Sequence, residues 1–239
     1  MSYEAVVFDF YGTLARATRW VSIPEVLADH GANVPDDAVR RYFEGHDGVE
    51  HSEHSASRED YVAWQRTRIL AMLAETDVHP GEYDRIIEGL RHGTATRILE
   101  RYAEVVAVLD DLRARGCALA ICSNWDWDLT EAVDESGLTG RFDVIVSSAW
   151  VGARKPHPRI FAETLSQLAT DPSTTLFVGD TWGPDVVGPS AAGMQPVYLE
   201  RHGHWPDPGV PADPTERAAR AMRITDLRGV PPLLEVAVR

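Results

Sequence analysis

Five short apolar runs punctuate the chain: Ala5 to Phe10, Cys117 to Ser123, Phe142 to Ser148, Thr175 to Gly179 and Gln195 to Leu199. Their length and composition read as buried strands of a parallel sheet. From Cys117 onward, helical patterns separate them: Leu129 to Ser136, Pro158 to Ala169 and Val186 to Ala192. Val105 to Arg115 precedes the second strand and stops at Gly116, a good C-terminal signal. Alternation of this kind predicts an α/β fold with a doubly wound, Rossmann-like parallel sheet.

The stretch from 16 to 99 breaks that pattern. It shows helical periodicity and no convincing strand. Ser57 to Thr76 is its clearest helix: Ser57 is placed to cap it, Asp60 stands at the third helical position, and Tyr61, Trp64, Ile69 and Leu73 form an apolar stripe. The expected organisation is an α/β core over 1–15 and 100–239, with 16–99 inserted as an α-helical cap over the carboxyl ends of the strands. Gly203 to Pro214, rich in Pro, Gly and Asp, reads as a loop.

Composition narrows the class. The chain has 239 residues, 44% of them hydrophobic and 25% charged, enough for a sizeable core without structural metals. A formal net charge of -14 argues against nucleic acid and anionic membranes as partners. A small anionic substrate would need local positive charge. The two cysteines, Cys117 and Cys122, fall in one strand about 16 Å apart, too far for a disulfide. Free thiols, an N-terminus without a signal-peptide pattern and no membrane-length apolar run predict a cytoplasmic protein, monomeric or homodimeric. Lys155 is the only lysine in a chain whose other basic residues are arginine. A compact ammonium that arginine cannot replace points to a tight site.

Ligands of an open parallel sheet bind beyond the carboxyl ends of its strands. The first strand runs into Asp9, in Phe8-Asp9-Phe10-Tyr11-Gly12-Thr13-Leu14. There a carboxylate serves as nucleophile, metal ligand or helix cap. The second strand ends at Ser123-Asn124, and Lys155-Pro156 follows the third. The fourth ends at Gly179-Asp180, with Asp185 five residues on. Three carboxylates, a hydroxyl and the lone ammonium thus gather at one sheet edge.

These four motifs, in this order, resemble those of the haloacid-dehalogenase superfamily, and the insertion resembles that family's helical cap. The resemblance implies that Asp9 is a nucleophile forming a covalent aspartyl intermediate. It implies that Ser123 bonds the transferring group, Lys155 neutralises charge and Thr13 braces the loop. It also implies Mg²⁺ held by Asp9, Asp180, Asp185 and the backbone carbonyl of Tyr11.

The motifs then divide. Phosphatases of the family usually carry an acid/base aspartate where this chain has Tyr11, and a phenol, with a reference pKa near 10, is a poor base at neutral pH. Asp9-Phe10-Tyr11-Gly12-Thr13 instead resembles the metal-free 2-haloacid dehalogenases. Asp180 and Asp185 resemble the Mg²⁺-dependent phosphatases, and three clustered carboxylates repel without a cation. The metal motif, needing two matching acids, favours a phosphatase. A 2-haloacid dehalogenase and a weakly active or inactive binding fold are the alternatives. Dehalogenases use a cap arginine, for which Arg16, Arg19, Arg58, Arg66 and Arg68 are candidates.

Asn124, Trp125 and Trp182 are expected to contact substrate, the two indoles against loop packing as the alternative. Trp127 and Trp150 read as packing residues. His157 is a candidate base or, more simply, an exposed residue of a helix's first turn. His46, His51 and His54 read as a solvated loop rather than a metal site, as do His202 and His204. Asp126 and Asp128 read as helix caps.

Overall fold

The computed structural model describes residues 3–32, 34–35, 37–39, 57–95, 97–201 and 209–235. His46, His51, His54, His202 and His204, and the first half of the expected loop over 203–214, lie outside them.

Six parallel strands form the main sheet: β1 (Ala5–Phe8), β4 (Ala118–Ser123), β5 (Val144–Ser147), β6 (Thr175–Gly179), β7 (Gln195–Leu199) and β8 (Met222–Ile224). Their order is β5-β4-β1-β6-β7-β8. The alternating side chains feed two cores. Val6, Phe8, Leu119, Ile121, Leu176 and Val178 join one apolar cluster. Val7, Ala120, Cys122 and Phe177 join the other. Burial on both faces explains why these runs are continuously apolar.

The strands are shorter than the apolar runs suggest. β1 ends at Phe8 because the chain then turns, although the Asp9 amide still donates to the Val178 carbonyl at 2.9 Å. β5 gives way at Ser148 to a short helix, Ser148–Val151. The helical pattern over Val186 to Ala192 is a π turn, Gly183–Val187, followed by one α turn, Gly188–Ala191.

The expectation of no strand within 16–99 is corrected. β2 (Ala15–Trp20) and β3 (Arg97–Arg101) pair antiparallel as a separate ribbon. β2 is mostly exposed outside Ala15 and rich in arginine, so it carries no apolar signature. Between β2 and β3 run α1 (Ile23–Asp29), α2 (Arg58–Leu73) and α3 (Tyr83–Ala95). Ile23, Leu27, Ile69, Leu73, Ile86 and Leu90 pack into an apolar cluster of their own. α2 is capped by Ser57, whose side chain accepts the Asp60 amide at 3.1 Å.

Candidate active site

β1 lies between β4 and β6, so three parallel strands deliver their carboxyl ends side by side. This is a topological switch point, where chain connections leave in opposite directions and open a crevice. Register sets the neighbours: Phe8 stands beside Ile121 and Val178. Asp9, Ser123 and Asp180 therefore converge, all buried.

Lys155 joins them from the loop beyond β5. Its Nζ donates to Asp9 Oδ1 at 2.7 Å and to Asp185 Oδ1 at 2.6 Å, with 2% of the residue exposed. Asp9, Asp180 and Asp185 each offer a carboxylate oxygen, all lying within 4.8 Å of one another. Burial raises the Asp9 pKa; Lys155 opposes that rise, Asp180 adds to it, and a hydrogen bond with Ser123 favours the charged form. Burial likewise raises Asp185 against the pull of Lys155. Burial disfavours the charge on Lys155, but Asp185 and Asp9 overcome it and keep the ammonium protonated. Three carboxylates face one cation, a donor set of hard oxygens with excess negative charge. Such a set fits Mg²⁺. Both oxygens of Asp185 are engaged, since its Oδ2 also accepts the Thr181 amide at 3.0 Å.

Glycines make the close approach possible. Gly12 has φ +83, and a Cβ there would fall 2.1 Å from Asp180 Oδ2. A Cβ on Gly179 would fall 2.4 Å from Asp185 Cγ. Thr13 donates to Asp180 Oδ1 at 3.4 Å.

The remaining candidate residues divide between this loop cluster and the packing around it. Asn124 is spent on the Lys155 backbone: its Nδ2 donates to the Lys155 carbonyl at 3.0 Å and its Oδ1 accepts the Lys155 amide at 2.6 Å. Both polar atoms of its amide thus bond the Lys155 backbone. Trp182 is buried against Tyr198, Val186 and Ala221, because the π turn after Asp180 directs it into that cluster. It does not join Trp125. Trp125 stands near the loop after Asp9, its ring 5.2 Å from Phe10 and 6.3 Å from Tyr11. Asp128 precedes helix Leu129–Glu135 without a side-chain capping bond; it accepts from Arg97 at 2.6 Å and from Trp125 Nε1 at 3.1 Å. Asp126 accepts from Tyr61 and Gln65 of α2, linking the helical segment to the β4 loop. His157 caps helix Pro158–Leu168, its Nδ1 accepting the Arg159 amide at 3.2 Å.

Two arginines carry roles the sequence did not reveal. Arg201, just beyond β7, donates to the Gly12 carbonyl at 3.1 Å, the Thr13 carbonyl at 2.7 Å and Glu104 at 2.7 Å. Its guanidinium lies 3.6 Å from the Tyr102 ring centre. It clamps the turn that follows Asp9. Arg97 stacks over Trp125 at 5.2 Å. Among the arginines singled out in the sequence, Arg16 pairs with Glu100 and Arg66 with Asp84 on the surface. Arg68 is buried over Trp64.

Asp9, Asp180, Asp185 and Lys155 thus share one buried niche at the switch point. Residues 3–193 match the family model of haloacid dehalogenase-like hydrolases, and the chain belongs to that family. A phosphoserine phosphatase from Thermus thermophilus is 37% identical over 130 residues, covering 54% of this chain and 49% of that protein. The mouse haloacid dehalogenase-like hydrolase domain-containing protein 3 is 40% identical over 86 residues, 36% of this chain and 34% of that one. The chain spans between a third and a half of the length of these relatives. Among solved structures, one described as a predicted phosphoglycolate phosphatase from Haemophilus somnus 129pt superposes with TM-score 0.72 at 16% identity, covering 98% and 99% of the chains. The Xanthobacter autotrophicus L-2-haloacid dehalogenase with chloropropionic acid covalently bound gives TM-score 0.59 at 22% identity, covering 98% and 100%. These two share the fold.

Proposed function

We propose that this chain is a Mg²⁺-dependent phosphatase of small anionic phosphate monoesters, with residues 16–99 acting as a cap. One observation carries the reading: three buried carboxylates share their niche with a single ammonium, which leaves excess negative charge that a divalent cation would offset. Asp9, Asp180, Asp185 and the Tyr11 carbonyl would hold the ion. Bound there, it would polarise the phosphoryl oxygens and offset their charge.

The chain's own residues then divide the work. Lys155 occupies Oδ1 of Asp9, so Oδ2 is the oxygen available to attack phosphorus. The ester P–O bond breaks, the alcohol oxygen leaves with its electron pair and takes a proton from solvent, and an aspartyl phosphate forms. Water attacks the phosphorus, releasing phosphate and restoring the carboxylate. Ser123 would bond a phosphoryl oxygen, and Lys155 would stabilise the charge that develops. Thr13, Asn124 and Arg201 hold the attacking loop and the lysine in place. Phosphatase names among the relatives support this reading.

Hydrolysis of a monoester panel with Mg²⁺ and with EDTA, using Asp9→Asn as blank, tests it. Turnover that needs both Mg²⁺ and Asp9 is expected. A second reading, 2-haloacid dehalogenase, draws on the Lys155 bridge between Asp9 and Asp185, which offsets part of the charge without metal. Chloride release from 2-chloropropionate in EDTA, with no ester turnover, would put that reading first.

A further inference from the structure

We propose that Tyr61 and Gln65 of α2 and Asp126 of the loop after β4 form a latch that fastens the helical insert to the core, and that access to the site requires its release. The link to site access rests on the reading of residues 16–99 as a cap.

The insert and the sheet are packed separately. Ile69, Met72 and Leu73 of α2 join the insert's apolar cluster, which among the described residues shares no member with the clusters on the two faces of the sheet. No common core welds the two together, so polar contacts decide how they meet. The first turns of α2 make such contacts. The Tyr61 hydroxyl donates to Asp126 Oδ1. Gln65, one helical turn on, donates to the same oxygen at 3.1 Å and to the Tyr61 hydroxyl at 2.9 Å. One helix face thus brings two donors to one acceptor. The Tyr61 ring also leans on Trp127, with centres 6.3 Å apart.

The catch is fixed and the pivot lies elsewhere. Ser147 Oγ donates to the carbonyls of Trp125 and Asp126 at 2.8 and 2.9 Å, which holds the β4 loop to the core. The β2–β3 ribbon that joins insert to core is rooted at its base. Ala15 and Leu99 are buried in the main cluster, and the Tyr102 amide donates to the Leu14 carbonyl at 3.0 Å. Rotation about that root parts α2 from Asp126 without opening either core.

The carboxylate makes the latch adjustable. Asp126 is faced by Tyr61 and Gln65 of α2, by Asp128 on its own loop, by Arg97 of β3 and by Arg154 beyond β5. Burial pushes its carboxyl up and Asp128 adds to the rise, while the Tyr61 hydrogen bond, Arg154 and Arg97 oppose it. The net rise means that docking disfavours the charge. Neutralising Asp126 therefore tightens the latch, and removing its donors loosens it.

The test places nitroxide labels on Ala74→Cys, at the far end of α2, and on Ala162→Cys, in helix Pro158–Leu168, both at exposed positions. Cys117 and Cys122 are buried and stay unlabelled. Pulsed electron paramagnetic resonance reads the distance between the labels. One narrow distance is expected with the latch intact. Tyr61→Phe with Gln65→Leu should shift the docking equilibrium about 100-fold and add a second distance. Asp126→Asn, which keeps the acceptor oxygen and drops the charge, should keep the single distance. An unchanged distance in the double variant would overturn the proposal, as would Asp126→Asn opening the insert to the same extent. With a phosphate monoester and Mg²⁺, the double variant should raise KM about 10-fold, since the closed form that holds the ester is less populated. Distances that shift while KM and kcat stay at wild-type values would also overturn it. Distances that shift as expected with no ester turned over by any variant would overturn the phosphatase reading and leave the latch standing.

Discussion

Replacing Lys155 with methionine removes the one cation that, among the described residues, pairs with both Asp9 and Asp185, while keeping most of the side-chain volume. Two charge-assisted hydrogen bonds, at 2.7 and 2.6 Å, disappear from a place where the lysine is 2% exposed. Each such bond is worth about 1.5–3 kcal/mol, and breaking one side of a buried ion pair costs about 3–5 kcal/mol. The two routes agree on roughly 4 kcal/mol, because the loss leaves three carboxylates repelling one another in a dry niche. For a chain of this size that corresponds to a fall in Tm of about 8–16 °C. Thermal and urea unfolding in EDTA, followed by circular dichroism, measure it. A loss below about 1 kcal/mol would refute the electrostatic account of the site, since it would mean that the three acids tolerate burial without the ammonium.

Three further outcomes follow from the same geometry. Asp180→Asn should stabilise the protein in EDTA by relieving repulsion, and should abolish the Mg²⁺-induced rise in Tm, which for wild type corresponds to about 2.7 kcal/mol at a hundredfold excess over Kd; an undiminished Mg²⁺ response in the variant would remove Asp180 from the metal niche. Arg201→Met leaves the Gly12 and Thr13 carbonyls and Glu104 without their shared donor. It should cost about 2–4 kcal/mol in stability and lower kcat more than it raises KM, while wild-type kcat would show that the clamp does not position the nucleophile. Burial pushes the Cys122 thiol up to about 12 and also raises Cys117, so both stay protonated at neutral pH. Native protein should resist a thiol reagent from pH 7 to 9 and react at both cysteines only when unfolded; rapid labelling of the folded chain would contradict this.

The parts of the fold legible in the sequence are those that bury both faces. β1, β4, β5, β6 and β7 announce themselves as apolar runs, and their carboxyl ends single out Asp9, Ser123, Lys155, Asp180 and Asp185. β8 does not, because only Ile224 of its three residues is buried at that edge. Nor does the β2–β3 ribbon: Arg16 finds Glu100 and Trp20 finds Arg97 across some eighty residues of intervening chain, and neither strand carries a continuous apolar signal. The rule that picked out Asp9 also had reach over Arg201, which follows β7 at the same edge. Its clamp on Gly12 and Thr13 depends on loop closure that no local pattern encodes. Trp182 misleads for the opposite reason. It is close to Asp180 in sequence, yet the π turn rotates it away into the Tyr198 cluster. Asn124 is at the expected sheet edge, and its amide matches the Lys155 backbone on both sides, a pairing no local pattern announces.

The central claim is that Asp9 becomes covalently phosphorylated. The direct test is to quench the protein with acid during turnover of a phosphate monoester and to weigh its peptides by mass spectrometry. The account predicts one added phosphoryl group on the peptide containing Asp9, absent in Asp9→Asn. Steady turnover with the peptide unmodified at every quench time, or with the phosphoryl group on another residue, would contradict it.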